Sequence, residues 1–169
     1  TRYIGRLGIT DEQQNRLLMD WRAPEAGTFY QATAFTPMGV RRRRHLMLEG
    51  RTVVNLEDEV FDPAMLRDSG ELHGEGALLA ALNQKRTGRM NDIVATIQAE
   101  QDAIIRSDLA GVRVVQGGPG TGKTAVALHR AAYLLYTNRE RLAKAGVLVV
   151  GPSNSFMWYI ERVLPSLGE

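Results

Sequence analysis

Gly117-Gly118-Pro119-Gly120-Thr121-Gly122-Lys123-Thr124 is the stretch whose reading decides the fold. It satisfies the spacing G-x-x-x-x-G-K-[ST]. The β-branched run Val112-Arg113-Val114-Val115 precedes it, and an Ala/Leu-rich segment from Thr124 to Tyr136 follows. Strand, glycine loop and helix in that order can wrap a phosphate. Glycines let successive backbone N–H groups turn inward where a Cβ would obstruct them, and the first turn of the following helix adds partial positive charge. Lys123 is placed to reach the β- and γ-phosphates of a nucleotide, and the Thr124 hydroxyl is placed to ligate Mg²⁺. Lys123 and Thr124 are the candidate catalytic residues. Gly117, Gly118, Pro119, Gly120, Thr121, Gly122, Lys123, Thr124 and Ala125 form the candidate nucleotide-binding set.

Working outward, Val147-Leu148-Val149-Val150 supplies a second buried-strand candidate. Gly151-Pro152-Ser153 follows it, and then a helix through Phe156 to Leu164. The resulting β-α-β-α series implies a parallel sheet. Upstream, Leu78, Leu79 and Leu82, then Ile93, Val94 and Ile97, then Ile104 and Ile105 recur at helical spacing. The first sixty or so residues read instead as short strands over Tyr3 to Ile9, Arg16 to Trp21, Thr28 to Thr33, Val40 to Leu48 and Thr52 to Leu56. Glu49-Gly50-Arg51 is expected to join the last two as a three-residue hairpin loop. Acids, Gly, Ser and a Pro from Asp58 to Gly76 suit a linker. The fold expected is α/β. A small β-rich subdomain (1–62) and a linker with a helical segment (63–90) precede the first part of a P-loop nucleotide-binding lobe with a parallel sheet (91–169).

Hydrolysis needs more than a cradle. It requires a carboxylate for Mg²⁺ at the tip of a buried strand, a group that orients water, and an Arg for the developing charge. Val149-Val150-Gly151-Pro152 has no acid at its tip, so it cannot be that strand. Leu17-Leu18-Met19-Asp20 does end in an acid but lies far upstream in the β-rich part. Taken alone, the chain is expected to be inactive, a portion of a longer ATP hydrolase.

Composition bounds the remaining choices. The 169 residues are 44% hydrophobic and 24% charged, which suits a globular chain with one ordinary core. A net charge of +2 does not by itself argue for nucleic acid or membrane. Cysteine is absent, which excludes disulfides, thiolate nucleophiles and Cys-based metal sites. The longest apolar runs fall far below the roughly 20 residues of a spanning helix. With no cationic leader before an apolar stretch, no export signal is expected and a cytoplasmic location is.

Two further segments carry a family resemblance. Thr96-Ile97-Gln98-Ala99-Glu100-Gln101-Asp102-Ala103-Ile104-Ile105 resembles the Q motif of UvrD/Rep-like superfamily 1 helicases, and Gly122 to Leu134 resembles the first helix of their nucleotide-binding lobe. The resemblance implies a RecA-like lobe using ATP and Mg²⁺, with Gln101 reading the adenine edge. An amide suits that role because it both donates and accepts. Tyr3-Ile4-Gly5-Arg6, Asp20-Trp21-Arg22-Ala23-Pro24 and Val163-Leu164-Pro165-Ser166-Leu167-Gly168-Glu169 are similar to the HelD family, helicase-like ATPases that act on RNA polymerase. This implies a motor that binds RNA polymerase and uses ATP to clear it from DNA or RNA. The family's polymerase-inserting arms, Walker B strand, second lobe and arginine finger have no counterpart here. A UvrD-type DNA-unwinding helicase is the alternative enzyme. A non-catalytic module that holds nucleotide and docks on polymerase is the alternative of another class.

Other signals read as structural. In a strand, Arg41 and Arg43 face opposite to Arg42 and Arg44, so the arginine run forms no single dense patch. Glu57-Asp58-Glu59 reads as a solvated acidic run, and Trp21 and Arg22 as a stacked pair. Phe156, Trp158 and Tyr159 read as helix packing rather than as a platform for bases. His45, His73 and His129 lack metal-ligand spacing.

Overall fold

The computed structural model describes residues 1–33, 35–62 and 97–168. The expected helical positions at Leu78, Leu79, Leu82, Ile93 and Val94, together with His73 and the linker beyond Asp62, lie outside the described residues.

The chain opens with a small three-stranded sheet. β1 (Ile4–Gly5) pairs in parallel with β3 (Arg16–Asp20), with Ile4 opposite Met19. β2 (Ile9–Thr10) lies antiparallel on the other edge of β3. The connection into β3 is tied by the Asp11 carboxylate, which accepts from the Asn15 backbone N–H at 2.7 Å and from its amide at 2.9 Å. Pro24 then opens a 3-10 turn (Pro24–Ala26) that runs into α1 (Gly27–Gln31). The sequence expectation of a strand over Thr28 to Thr33 is therefore corrected. Thr, Phe and Tyr favour strands, but Ala26 and Tyr30, four apart, are both buried, and this burial overrides a weak preference.

β4 (Arg42–Glu49) and β5 (Thr52–Val60) form the expected antiparallel hairpin, although its turn is tighter than the sequence suggests. Glu49 pairs with Thr52, leaving a two-residue turn in which Gly50 takes φ +62°, a conformation that glycine adopts without strain. Met47 faces Asn55 while Leu48 faces Val53, so Val54 is the extra residue of a bulge. β5 continues through Asp58 and Glu59, which therefore belong to the ladder and not to the expected linker. Cross-strand arginines hold them there. Arg44 Nε and Nη2 donate to Asp58 at 2.6 Å each, Arg42 lies 3.5 Å from the same carboxylate, and Arg43 pairs with Glu59. The expected two-against-two split of the arginines holds only within the strand: Arg43 is turned inward, Arg42 and Arg44 are exposed, and Arg41 precedes β4 and is exposed, paired with Asp62.

Among the described residues four helices follow: α2 (Ala99–Ile105), α3 (Lys123–Thr137), α4 (Arg139–Ala145) and α5 (Asn154–Val163), the last running into a 3-10 turn (Leu164–Leu167). Ser153 caps α5 by accepting from the Phe156 N–H at 3.2 Å. One core joins the early and late segments. Met19, Trp21, Ala26 and Tyr30 pack with Ile97 and Ile105, with Val126, Leu128 and Ala132 of α3, and with Ile160, Val163 and Leu167. Among the described residues no helix is long and apolar enough to cross a membrane.

The expected parallel sheet does not appear among the described residues, where the only parallel pairing is β1 with β3. Val112–Val115 and Val147–Val150 belong to no strand, and Val112 and Leu148 are 96% and 88% exposed. A parallel strand is stabilised when neighbours pair its edges and helices cover its faces, and no described strand lies beside either run. Only Val149 leans on the core.

Candidate nucleotide site

The glycine loop leads directly into α3, and Gly122 is the residue before its first turn, at φ +82°. A side chain there would be strained, and a Cβ would also come within 3.0 Å of the Gln101 amide nitrogen. Gly117 is constrained differently, because a Cβ on it would meet the Thr121 hydroxyl at 2.6 Å. At Gly118 and Gly120 a Cβ would meet nothing within 4 Å, so these two glycines border open space. Thr121 folds its hydroxyl across the loop to the Gly118 carbonyl at 2.9 Å. Among the described residues, no backbone carbonyl accepts from the amides of Gly120, Gly122, Lys123 or Thr124. These donors are therefore available to an anion, and the start of α3 is the favourable end of that helix's dipole for one.

Lys123 supplies the loop's cation. Its ammonium donates to the carbonyls of Gly117 at 2.9 Å and Gly118 at 2.6 Å, so the side chain curls back over the loop. Thr124 stands half-buried beside it, with Ala125 behind. Pro119 fixes the backbone at the exposed crest of the loop. The residues present fit a triphosphate with its metal: unpaired amides, one mobile ammonium, one hydroxyl at the helix start, and room where glycines stand.

Gln101 is the residue that the sequence places upstream, and the fold brings it to the loop. Its amide nitrogen donates to the Thr121 carbonyl at 3.4 Å. Its carbonyl oxygen accepts from the Gln98 N–H at 3.2 Å, while the Gln98 side chain accepts from the N–H of Gln101, a reciprocal cap on α2. Both ends of the amide already have protein partners, a helix-capping role that the motif alone does not reveal.

The surroundings contain buried polar groups that sequence reasoning did not single out. Asp102, next to Gln101, is fully buried. Burial pushes its carboxyl up from the ordinary range, opposed by Arg106 and by the Gln31 amide, which donates to it at 2.8 Å. On α3, Arg130 donates to the carbonyls of Ile104, Ile105, Ser107 and Asp108 at 2.7–3.2 Å, closing the C-terminal end of α2. His129 is buried against Trp21, with ring centroids 5.2 Å apart. Its Nδ1 lies 2.7 Å from the Ala125 carbonyl, and burial holds its pKa below the usual imidazole value. Periodicity marks such positions only as core-facing, so their polar partners are invisible without the fold.

Several sequence expectations are corrected. Trp21 and Arg22 do not stack on each other. Trp21 turns to His129, and Arg22 lies over the Tyr136 ring at 4.7 Å while donating to Asp20 and to the Gly168 carbonyl. Asp20 is occupied by that guanidinium. Phe156 packs against the core as expected, whereas Trp158 and Tyr159 on the same helix are exposed. Glu57-Asp58-Glu59 is no freely solvated run, for the reasons given by the hairpin.

No curated protein matches the chain. Two family models do. Residues 1–77 match the N-terminal domain of DNA helicase IV HelD, and residues 97–154 match the UvrD/REP helicase N-terminal domain. The first match covers β1 through the hairpin, and the second covers α2, the glycine loop and α3. Found in tandem on one chain, the two matches support a HelD-like fragment of the UvrD/Rep superfamily 1.

Proposed function

We propose that the chain is the ATP-binding portion of a helicase-like motor that acts on RNA polymerase, using ATP to release or recycle it from nucleic acid. The observation that carries this reading is the loop from Gly117 to Thr124, which leads directly into α3 and has the Lys123 ammonium curled over it onto the Gly117 and Gly118 carbonyls. Lys123 exchanges its two carbonyl partners for the β- and γ-phosphate oxygens, Gly118, Gly120, Thr121 and Gly122 line the phosphate chain, and the Thr124 hydroxyl ligates Mg²⁺. When bound, the metal neutralises charge on the β- and γ-oxygens. Gln101, within reach of the loop at Thr121, turns its amide to the adenine edge. Val112–Val115 and Val147–Val150 are strands of a RecA-like parallel sheet in the complete lobe, and their exposed apolar side chains fit that role. The HelD match over residues 1–77 supports action on polymerase, and the UvrD/REP match supports the use of ATP with Mg²⁺.

Lys123→Ala in the full-length protein is expected to abolish ATP binding in a calorimetric titration. Unchanged affinity would overturn the assignment. A second reading, a non-catalytic module that holds nucleotide while docked on polymerase, is favoured by one observation: the upstream acid Asp20 is sequestered by Arg22 and cannot serve a metal. Steady ATP turnover by the full-length protein removes that reading. Strand separation of duplex DNA in its absence from polymerase would favour a UvrD-type helicase instead.

A further inference from the structure

Arg106 is the residue through which the early segment of the chain grips the helix that carries Gln101. Its Nε donates to both oxygens of Asp102 at 2.9 Å, its Nη1 donates to the Ala23 carbonyl at 3.0 Å, and its Nη2 donates to the Trp21 carbonyl at 2.7 Å. Tyr30 of α1 and Tyr133 of α3 place their rings 5.6 and 5.2 Å from the guanidinium. Gln31 completes the set through Asp102. A planar fork bonded to a carboxylate and to two separate main-chain carbonyls fixes position and rotation together, which a point charge cannot do. Burying such a pair is costly, and apolar side chains of similar volume would hold a helix at least as firmly. What the arrangement adds is a defined setting of α2, whose other end bears Gln101 one residue from Asp102 and 3.4 Å from the loop.

We propose that Arg106 is a positioning residue for the nucleotide site: seated on the carbonyls of Trp21 and Ala23, it sets α2 so that Gln101 meets both the loop and the base, making the Asp20–Ala23 segment a determinant of nucleotide selectivity. This rests on the reading that the loop binds ATP with Gln101 on adenine. The test uses steady-state ATPase and GTPase measurements on the full-length protein with Arg106→Lys, Gln101→Ala and the double variant. Arg106→Lys keeps the charge beside Asp102 but cannot span both carbonyls. It is expected to raise KM for ATP about fivefold or more, to leave kcat within about twofold, and to cut the ATP-to-GTP preference in kcat/KM. On top of Gln101→Ala it should add little further loss of preference, because both act through one contact. Gln31→Leu, which removes a more peripheral hold on Asp102, is expected to shift KM in the same direction by a smaller factor, and it serves as the test should Arg106→Lys fold poorly. Full additivity of the two losses, or an unchanged KM and preference in a folded Arg106 or Gln31 variant while Gln101→Ala collapses the preference, overturns the inference and leaves the adenine reading standing. If Gln101→Ala itself leaves the preference intact, the adenine reading falls and takes this inference with it.

Discussion

His129 illustrates how a single buried group makes the fold sensitive to acid. Its Nε2 is buried with no hydrogen-bond partner among the described residues, and burial depresses its pKa, so the folded chain holds the ring neutral. An unfolded chain takes up the proton as the pH falls through about 6.5, the ordinary imidazole value. Below that point the unfolded state binds more protons than the folded one, so stability falls, by at most about 1.4 kcal/mol per pH unit for each such imidazole, and it is fully retained above pH 7.5. His45 contributes with the same sign, through burial and the nearby Arg43 charge. Urea unfolding at pH 7.5 and 5.5 is expected to show lower stability at the acid value, and His129→Leu is expected to flatten part of that difference. Such a role is illegible in the sequence, where His129 is one ring in a helical repeat. By contrast, the loop from Gly117 to Thr124 stands out in the sequence and does lead into a helix, because its pattern is local, confined to eight consecutive positions.

At the scale of elements, legibility followed the range of the forces involved. The hairpin could be read from two β-prone runs and one glycine, and in the structure β4 alternates, with Arg43, His45 and Met47 more covered than Arg42, Arg44 and Leu46. The helix at Gly27–Gln31 could not, because it is held by the core and not by its own propensities. The expected strands at Val112 and Val147 are unpaired among the described residues for the complementary reason, since strand pairing depends on partners elsewhere in space. The hairpin's two faces should respond unequally to substitution. Arg43 donates to Glu59 and to the carbonyls of Phe29 and Tyr30 and lies 5.2 Å from the Phe61 ring, so it roots the hairpin on α1. Arg43→Ala strands those acceptors and is expected to cost about 2 kcal/mol in urea unfolding. Arg44→Ala, on the exposed face, should leave the unfolding midpoint nearly unchanged. Equal effects would mean that the inner pair contributes no more than the outer one.

Across the whole molecule, Trp21 is the point on which most of the described structure converges. It is fully buried, its indole N–H donates to the Leu167 carbonyl at 3.3 Å, its own carbonyl accepts from Arg106, and its ring meets His129 of α3. Trp21→Ala is expected to lose about 4 kcal/mol of stability, a large part of what a domain of this size has. The loss would be read as a lower midpoint in thermal or urea unfolding. A shift of less than about 1 kcal/mol would show that the segment from Asp20 to Ala23 packs passively. Residues 167 and 168, held by Trp21 and Arg22, lie beside β3 in space although most of the chain separates them in sequence. Tension applied at residue 168 would therefore pass straight into the strand at Asp20 and on through Arg106, reaching the helix that carries Gln101 by a path that bypasses the intervening polypeptide altogether.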